Sequence, residues 1–116
     1  MQAVRRFAPP LLLMAVIFTL SAQPDLNSGL GTADLVGRKI VHAAEYGLLF
    51  LLWLRALGPR TPLVAAAIAV AYAATDEWHQ TTVGGRHGSA VDVVIDATGV
   101  AIAWAGWLRA SRARSR

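Results

Sequence analysis

The sequence contains no cysteine. That excludes a disulfide framework, thiolate metal sites and thiol nucleophiles. Acids are scarce as well: Asp and Glu number 7 in 116 residues, and charged residues of either sign make up 16%. A soluble domain of this length needs more polar side chains than that to cover its surface. Neither Ser21 nor Ser89 sits in a nucleophile elbow, which argues against serine chemistry. The chain is 55% hydrophobic with a net charge of +4. Its arginines flank apolar runs as membrane anchors do, and they form no patch interleaved with aromatics, so nucleic acid is not an expected partner.

The apolar residues fall into four segments, at about 7–22, 39–57, 63–83 and 89–108. Each approaches the ~20 residues needed to cross a bilayer core. The pattern predicts an all-α fold, a polytopic bundle of four transmembrane helices forming a single domain. Pro9 and Pro10 suit the opening turn of the first helix, where their missing amide protons would be unpaired anyway. Arg5 and Arg6 ahead of an apolar run also resemble a signal peptide. Leu20 and Ala22 make a poor small-x-small cleavage site, however, so the segment is read as a retained helix.

Between the segments, Asn27, Ser28, Gly29, Gly31 and Gly37 are turn formers in a stretch from Pro24 to Gly37. Gly58, Pro59 and Pro62 predict a tight turn, and Gly84, Gly85 and Gly88 surround Arg86 and His87. A short Arg/Ser tail runs from Arg109 to Arg116. Arg5, Arg6, Arg55, Arg60, Arg109, Arg112, Arg114 and Arg116 all fall on one side of a four-span arrangement, against Arg38, Lys39 and Arg86 on the other. The positive-inside rule then puts both termini in the cytoplasm of an inner-membrane protein. Ala65, Ala69 and Ala73, and likewise Ala97, Ala101 and Ala105, form small-residue stripes expected to let helices approach closely.

The remaining polar residues are the unusual ones. A carboxylate or ammonium at the bilayer centre costs about 2.5–3.5 kcal/mol on insertion scales. Three of the segments nonetheless carry such groups at matching ends: Lys39, His42 and Glu45; Asp76 and Glu77; Asp92 and Asp96. At 1.5 Å per residue, His42 and Glu45 lie roughly 5–10 Å inside the second helix, with Asp76 and Asp96 about 10 Å inside theirs. Lys39, His42, Glu45 and Tyr46 share one helix face, and Tyr72, Asp76, His79 and Gln80 share another. Asp92 and Asp96, one turn apart, repel one another and call for a base; Lys39, Arg86 and His42 are available.

Each of these groups also has a purely structural reading. Arg38 and Lys39 can snorkel, Asp92 can complement its helix dipole, and the pairs His42–Glu45 and Asp76–His79 can fix the bundle. Tyr46, Trp53, Trp78, Trp104 and Trp107 read as packing and interface residues. His42, Glu45, Asp76, His79 and Asp96 are acceptable N/O ligands, but His-x-x-Glu lacks the second histidine of a zinc motif, so no metal and no cofactor is expected.

Lys39-x-x-His42-x-x-Glu45-Tyr46-Gly47, then Asp76-Glu77-x-His79-Gln80, then Gly85-Arg86-x-Gly88-Ser89-x-x-Asp92-x-x-x-Asp96-x-x-Gly99 resembles the VanZ-like family of small bacterial membrane proteins. Ser21-x-Gln23-Pro24, closing the first segment, resembles it too. The resemblance implies a helical membrane fold and a link to the cell envelope, the founding member being associated with low-level teicoplanin resistance. It implies no reaction, substrate or metal. It also gives no role to His79, a position expected to vary and often to be apolar.

Taken together, these residues suggest an outer-leaflet polar site. Lys39, His42 and Arg86 would hold an anionic lipid or a lipid-linked cell-wall precursor head group. Glu45, Tyr46, Asp76, Glu77, Gln80, Asp92 and Asp96 would line the site, and the acids would orient the bases or exchange protons. Three other readings stay open: an enzyme on a lipid-linked envelope substrate with Asp76 or Glu77 as general base, a small proton-coupled transporter, and a structural partner subunit.

Overall fold

The computed structural model describes residues 2–21, 32–80 and 90–114, which form four helices. These are α1 Gln2–Ser21, α2 Thr32–Leu57, α3 Pro62–Gln80 and α4 Ala90–Arg114. α1 and α2 begin several residues before their apolar segments, α4 continues past its own, and α3 is described to Gln80, short of the expected end at 83. Gly37 lies inside α2 and is not the turn former its type suggests. Arg109–Arg114 prolong α4, where a tail is expected from composition.

Pro9 and Pro10 also depart from expectation. Because α1 begins at Gln2, they sit in its interior and not in its opening turn. Their missing amides leave the carbonyls of Arg5 and Arg6 without intrahelical partners. Both arginines are exposed, so solvent or headgroups can satisfy those carbonyls.

The connection from α2 to α3 shows how local chemistry sets the hairpin. Gly58 takes a φ of 113°, a conformation glycine adopts without penalty. Its amide donates to the carbonyl of Leu54 at 2.8 Å, ending α2. Thr61 then starts α3: its carbonyl accepts from Ala65 at 3.0 Å while Pro62 fills the first helical position.

Helix directions follow from the contacts. Tyr46 of α2 meets Asp76 of α3, and Arg6 at the start of α1 donates to the carbonyl of Ala56 at the end of α2. Lys39, His42 and Gly47 of α2 meet Asp92, Asp96 and Gly99 of α4 in that order, so α2 and α4 run parallel. Tyr72 and His79 of α3 meet Met14 and Phe18 of α1, a second parallel pair. The chain runs up and down, with α2 touching all three other helices and α4 most extensively.

Small residues make the closest approaches. Ala65, Ala69 and Ala73 are buried on α3, as their spacing predicts. The stripe Ala97, Ala101 and Ala105 of α4 is not the packing face: Ala101 and Ala105 are exposed. The inward face carries Asp96, Gly99, Val100 and Ala103 instead. At about 100° per residue, Ala105 lies roughly opposite Asp96, so burying the carboxylate turns that alanine outward. Gly99 abuts α2 so closely that an added Cβ would stand 2.0 Å from the carbonyl oxygen of Ala43. A Cβ on Gly47 would stand 2.9 Å from the carbonyl oxygen of Gly99.

The distribution of polarity is inverted relative to a water-soluble bundle. Leu11, Leu12, Ile40, Leu48, Leu63, Val94 and Ile102 point outward, whereas Asp76 and Asp96 are buried at 3% and 4% exposure. Two stretches, Val36–Leu57 and Asp92–Arg114, are long and apolar enough to cross a membrane. In the most apolar 18 residues of each, only 33% and 17% are buried within the bundle. The core helix of a soluble protein would be mostly buried; these present their apolar surface to the surroundings.

Candidate functional site

The polar residues gather around one half of α2. Among the described side chains, every acid of α2, α3 and α4 lies in this region: there is none in residues 46–75 and none after Asp96. Helical spacing does the local work. Lys39, His42 and Tyr46 climb one face of α2 by steps of three and four, and Asp92 and Asp96 climb the facing side of α4 by four.

The rungs meet in order of depth. Lys39 Nζ lies 2.5 Å from Asp92 Oδ1, with side chains 36% and 26% exposed, so this pair forms the open edge of the layer. One turn deeper, His42 Nδ1 is 3.5 Å from Asp96 Oδ1, close enough for an ion pair when the ring is protonated but long for a hydrogen bond. Deeper still, the fully buried Tyr46 hydroxyl donates to Asp76 Oδ2 at 3.1 Å, tying α2 to α3. The His42 and Tyr46 rings lie 6.2 Å apart and nearly parallel, and Tyr72 stands 6.3 Å beyond Tyr46. Tyr72 donates to the carbonyl of Met14, bringing α1 into the network.

Two acids flank this ladder. Glu45 is half-buried and within electrostatic reach of His42, Asp76 and Asp96. Glu77 is half-buried and within reach of Lys39, Asp92 and Asp96. Among the described residues, Glu77 Oε2 is enclosed without a hydrogen-bond donor, and Asp96 Oδ1 is enclosed with only the 3.5 Å contact to His42. Buried acceptors are nearly always satisfied, so each of these oxygens calls for a proton, a water or a polar ligand.

Lys39, His42, Glu45, Tyr46, Asp76, Glu77, Asp92 and Asp96 are therefore brought together. The side chain of Gln80, together with Arg86, Ser89 and Gln23, lies outside the described residues. His79 stacks on Phe18 of α1 at 4.4 Å. Sequence reasoning places neither that stack nor the Tyr72–Met14 bond, because both depend on where α1 docks. Among the described residues no three His, Asp or Glu side chains converge as a metal-ligand set.

A helical bundle with apolar flanks and carboxylates enclosed between its helices belongs to the class of membrane-embedded proteins that keep a polar layer in their interior. Within that class, the chain matches the VanZ/LLP1 family over residues 4–111 and belongs to that family. The VanZ family is a membrane protein family linked to teicoplanin resistance. No curated protein and no solved structure matches the chain.

Proposed function

We propose that this chain crosses the bacterial inner membrane four times, with both termini cytoplasmic. On this reading it uses its polar layer, opening toward the outer leaflet, to bind the head group of an anionic lipid or lipid-linked cell-envelope precursor. The observation that carries the reading is the unequal state of the layer's charges. Lys39 stands at the open edge, while an enclosed oxygen of Glu77 lacks a donor and that of Asp96 has only the long contact to His42. A phosphorylated sugar or glycerol head group offers both complements, an anion for Lys39 and Arg86 and hydroxyl donors for the carboxylates. Asp92 and Asp96 then act chiefly on Lys39 and His42, holding each base on the facing helix.

Lipid binding to the full chain in nanodiscs tests this. A polyprenyl phosphate or phosphatidylglycerol should be retained over phosphatidylethanolamine in mass spectra of the intact protein. Lys39→Gln should carry one bound anionic lipid fewer than the wild type, and the lipid should be recovered unchanged. Retention of neutral and anionic lipids alike would sink the reading. Recovery of a cleaved or transferred lipid would instead make the protein an enzyme, with Asp76 or Glu77 as the base to substitute first.

One observation favours a second use of the same residues. Lys39–Asp92, His42–Asp96 and Tyr46–Asp76 form a descending series of exchangeable protons toward the bundle interior. A proton-coupled transporter needs such a series. Proteoliposomes carrying a pH gradient would show it as proton flux that Asp96→Asn abolishes.

A further inference from the structure

The opposite end of the bundle carries a feature the polar layer does not use. The last turns of α2, the turn at Pro59 and the later part of α4 border a shallow, open cleft of about 190 Å3, lined by Leu51, Leu54, Arg55, Pro59 and Trp107. Four of the five lining residues are apolar, and the fifth is an exposed guanidinium. No acid occurs in α1, in residues 46–75 or in residues 97–114, so among the described residues no side-chain carboxylate stands at this end for Arg55. Arg55 does lie in the last turn of α2, where the carbonyl ends attract cations. That accounts for a positive charge near the helix end. It does not account for an apolar cleft that Arg55 and a tryptophan line together.

An exposed arginine, an indole and two leucines lining one cleft match the profile of a phospholipid at the membrane interface. There a phosphate sits at headgroup level, the glycerol region beside an aromatic, and an acyl chain on aliphatic side chains. We propose that this cleft seats one anionic phospholipid of the leaflet at the basic end, with its phosphate on Arg55 and an acyl chain against Leu51 and Trp107. This site is separate from the polar layer and shares no residue with it. It rests on the membrane placement of the bundle but not on any head group bound at Lys39.

Quenching of tryptophan fluorescence by brominated lipid tests the proposal on the full chain. The protein is reconstituted in phosphatidylcholine vesicles that carry either brominated phosphatidylglycerol or brominated phosphatidylcholine. The contribution of Trp107 is isolated by comparison with Trp107→Phe. Brominated phosphatidylglycerol should quench Trp107 at about fivefold lower mole fraction, the ratio that ~1 kcal/mol for one basic side chain at an anionic surface produces. Arg55→Gln should erase that difference, while Arg112→Gln and Lys39→Gln should leave it. Equal quenching of the wild type by the two lipids would overturn the proposal, and that comparison requires no variant to fold. A preference lost equally in Arg112→Gln and Arg55→Gln would overturn it too, because the lipid would then be answering the arginine cluster as a whole.

Discussion

The two halves of the α2–α4 pair are held together by different physics. In the polar half, the helices are joined by Lys39–Asp92 and His42–Asp96, with Tyr46 reaching across to Asp76. In the basic half the contacts are rings: Phe50 stacks with Trp104 at 5.8 Å, and Phe7 of α1 tilts against Trp53 at 6.2 Å. Arginines in the basic half stand at the rim, whereas carboxylates in the polar half lie inside. A bundle that needed only to hold together could have used rings throughout, since lipid gives no hydrophobic reason to favour either solution. Interior carboxylates are the costlier choice, and that cost is the argument that they serve a purpose beyond cohesion.

The comparison is broken most directly at the boundary between the halves. Gly99→Leu should cost about 3 kcal/mol or more, because its Cβ would meet the backbone of Ala43 and not the tip of a flexible side chain. Denaturant titration in detergent micelles reads this, and a wild-type midpoint would mean that α2 and α4 are not packed as described. Next comes the purpose of the interior charge. Asp96→Asn keeps shape and removes charge, so abundance in the membrane should hold. Teicoplanin tolerance, if this chain provides it, should then fall to that of a strain lacking the gene. Full tolerance at wild-type abundance would return the polar half to the same structural footing as the basic half.

Tyr46→Phe removes the donor to Asp76 and should cost about 1–3 kcal/mol, the penalty of an enclosed acceptor left unmade. The same change at Tyr72 removes a bond to the carbonyl of Met14, which is less deeply buried, and should cost about 1 kcal/mol. Asp92→Asn disrupts a pair that is a third and a quarter exposed, worth at most about 1 kcal/mol after solvent screening. A loss from Asp92→Asn larger than that from Tyr46→Phe would reverse the depth order of the ladder. Smallest of all, Gly106→Ala meets nothing within 4 Å and should be neutral or stabilising by under about 1 kcal/mol.

How much of this was legible beforehand differs between the same two halves. Helical spacing places Lys39, His42 and Tyr46 on one face and Asp92 and Asp96 on another, and the structure turns those faces toward each other. Period and charge suffice because few arrangements put both acids beside bases. The α4 packing face was not legible from its alanines: small residues occur all round that helix, and burial of Asp96 decides which of them turn inward. Pro9, Pro10 and Gly37 misled for a related reason. Residue type marks where a helix can end, and neighbouring packing determines whether it does. The position of α1 was beyond reach, since its contacts through Phe18, Met14 and Arg6 involve residues that could belong to any apolar helix.

Gly99 has one more consequence, which concerns alternatives to the native alignment. Two aspartates one turn apart, facing bases nearly one turn apart, form a pattern that almost repeats under a shift of one turn, about 5.4 Å. Slide α4 that far along α2 and Asp96 could meet Lys39, or Asp92 could meet His42. Charge pairing alone is therefore degenerate. The backbone of Ala43 breaks the tie, because in either slipped alignment its carbonyl would face Ala103 or Ile95 in place of the bare Cα of Gly99. A residue with no side chain thus decides which ion pairs can form, and the charges supply the attraction that it directs.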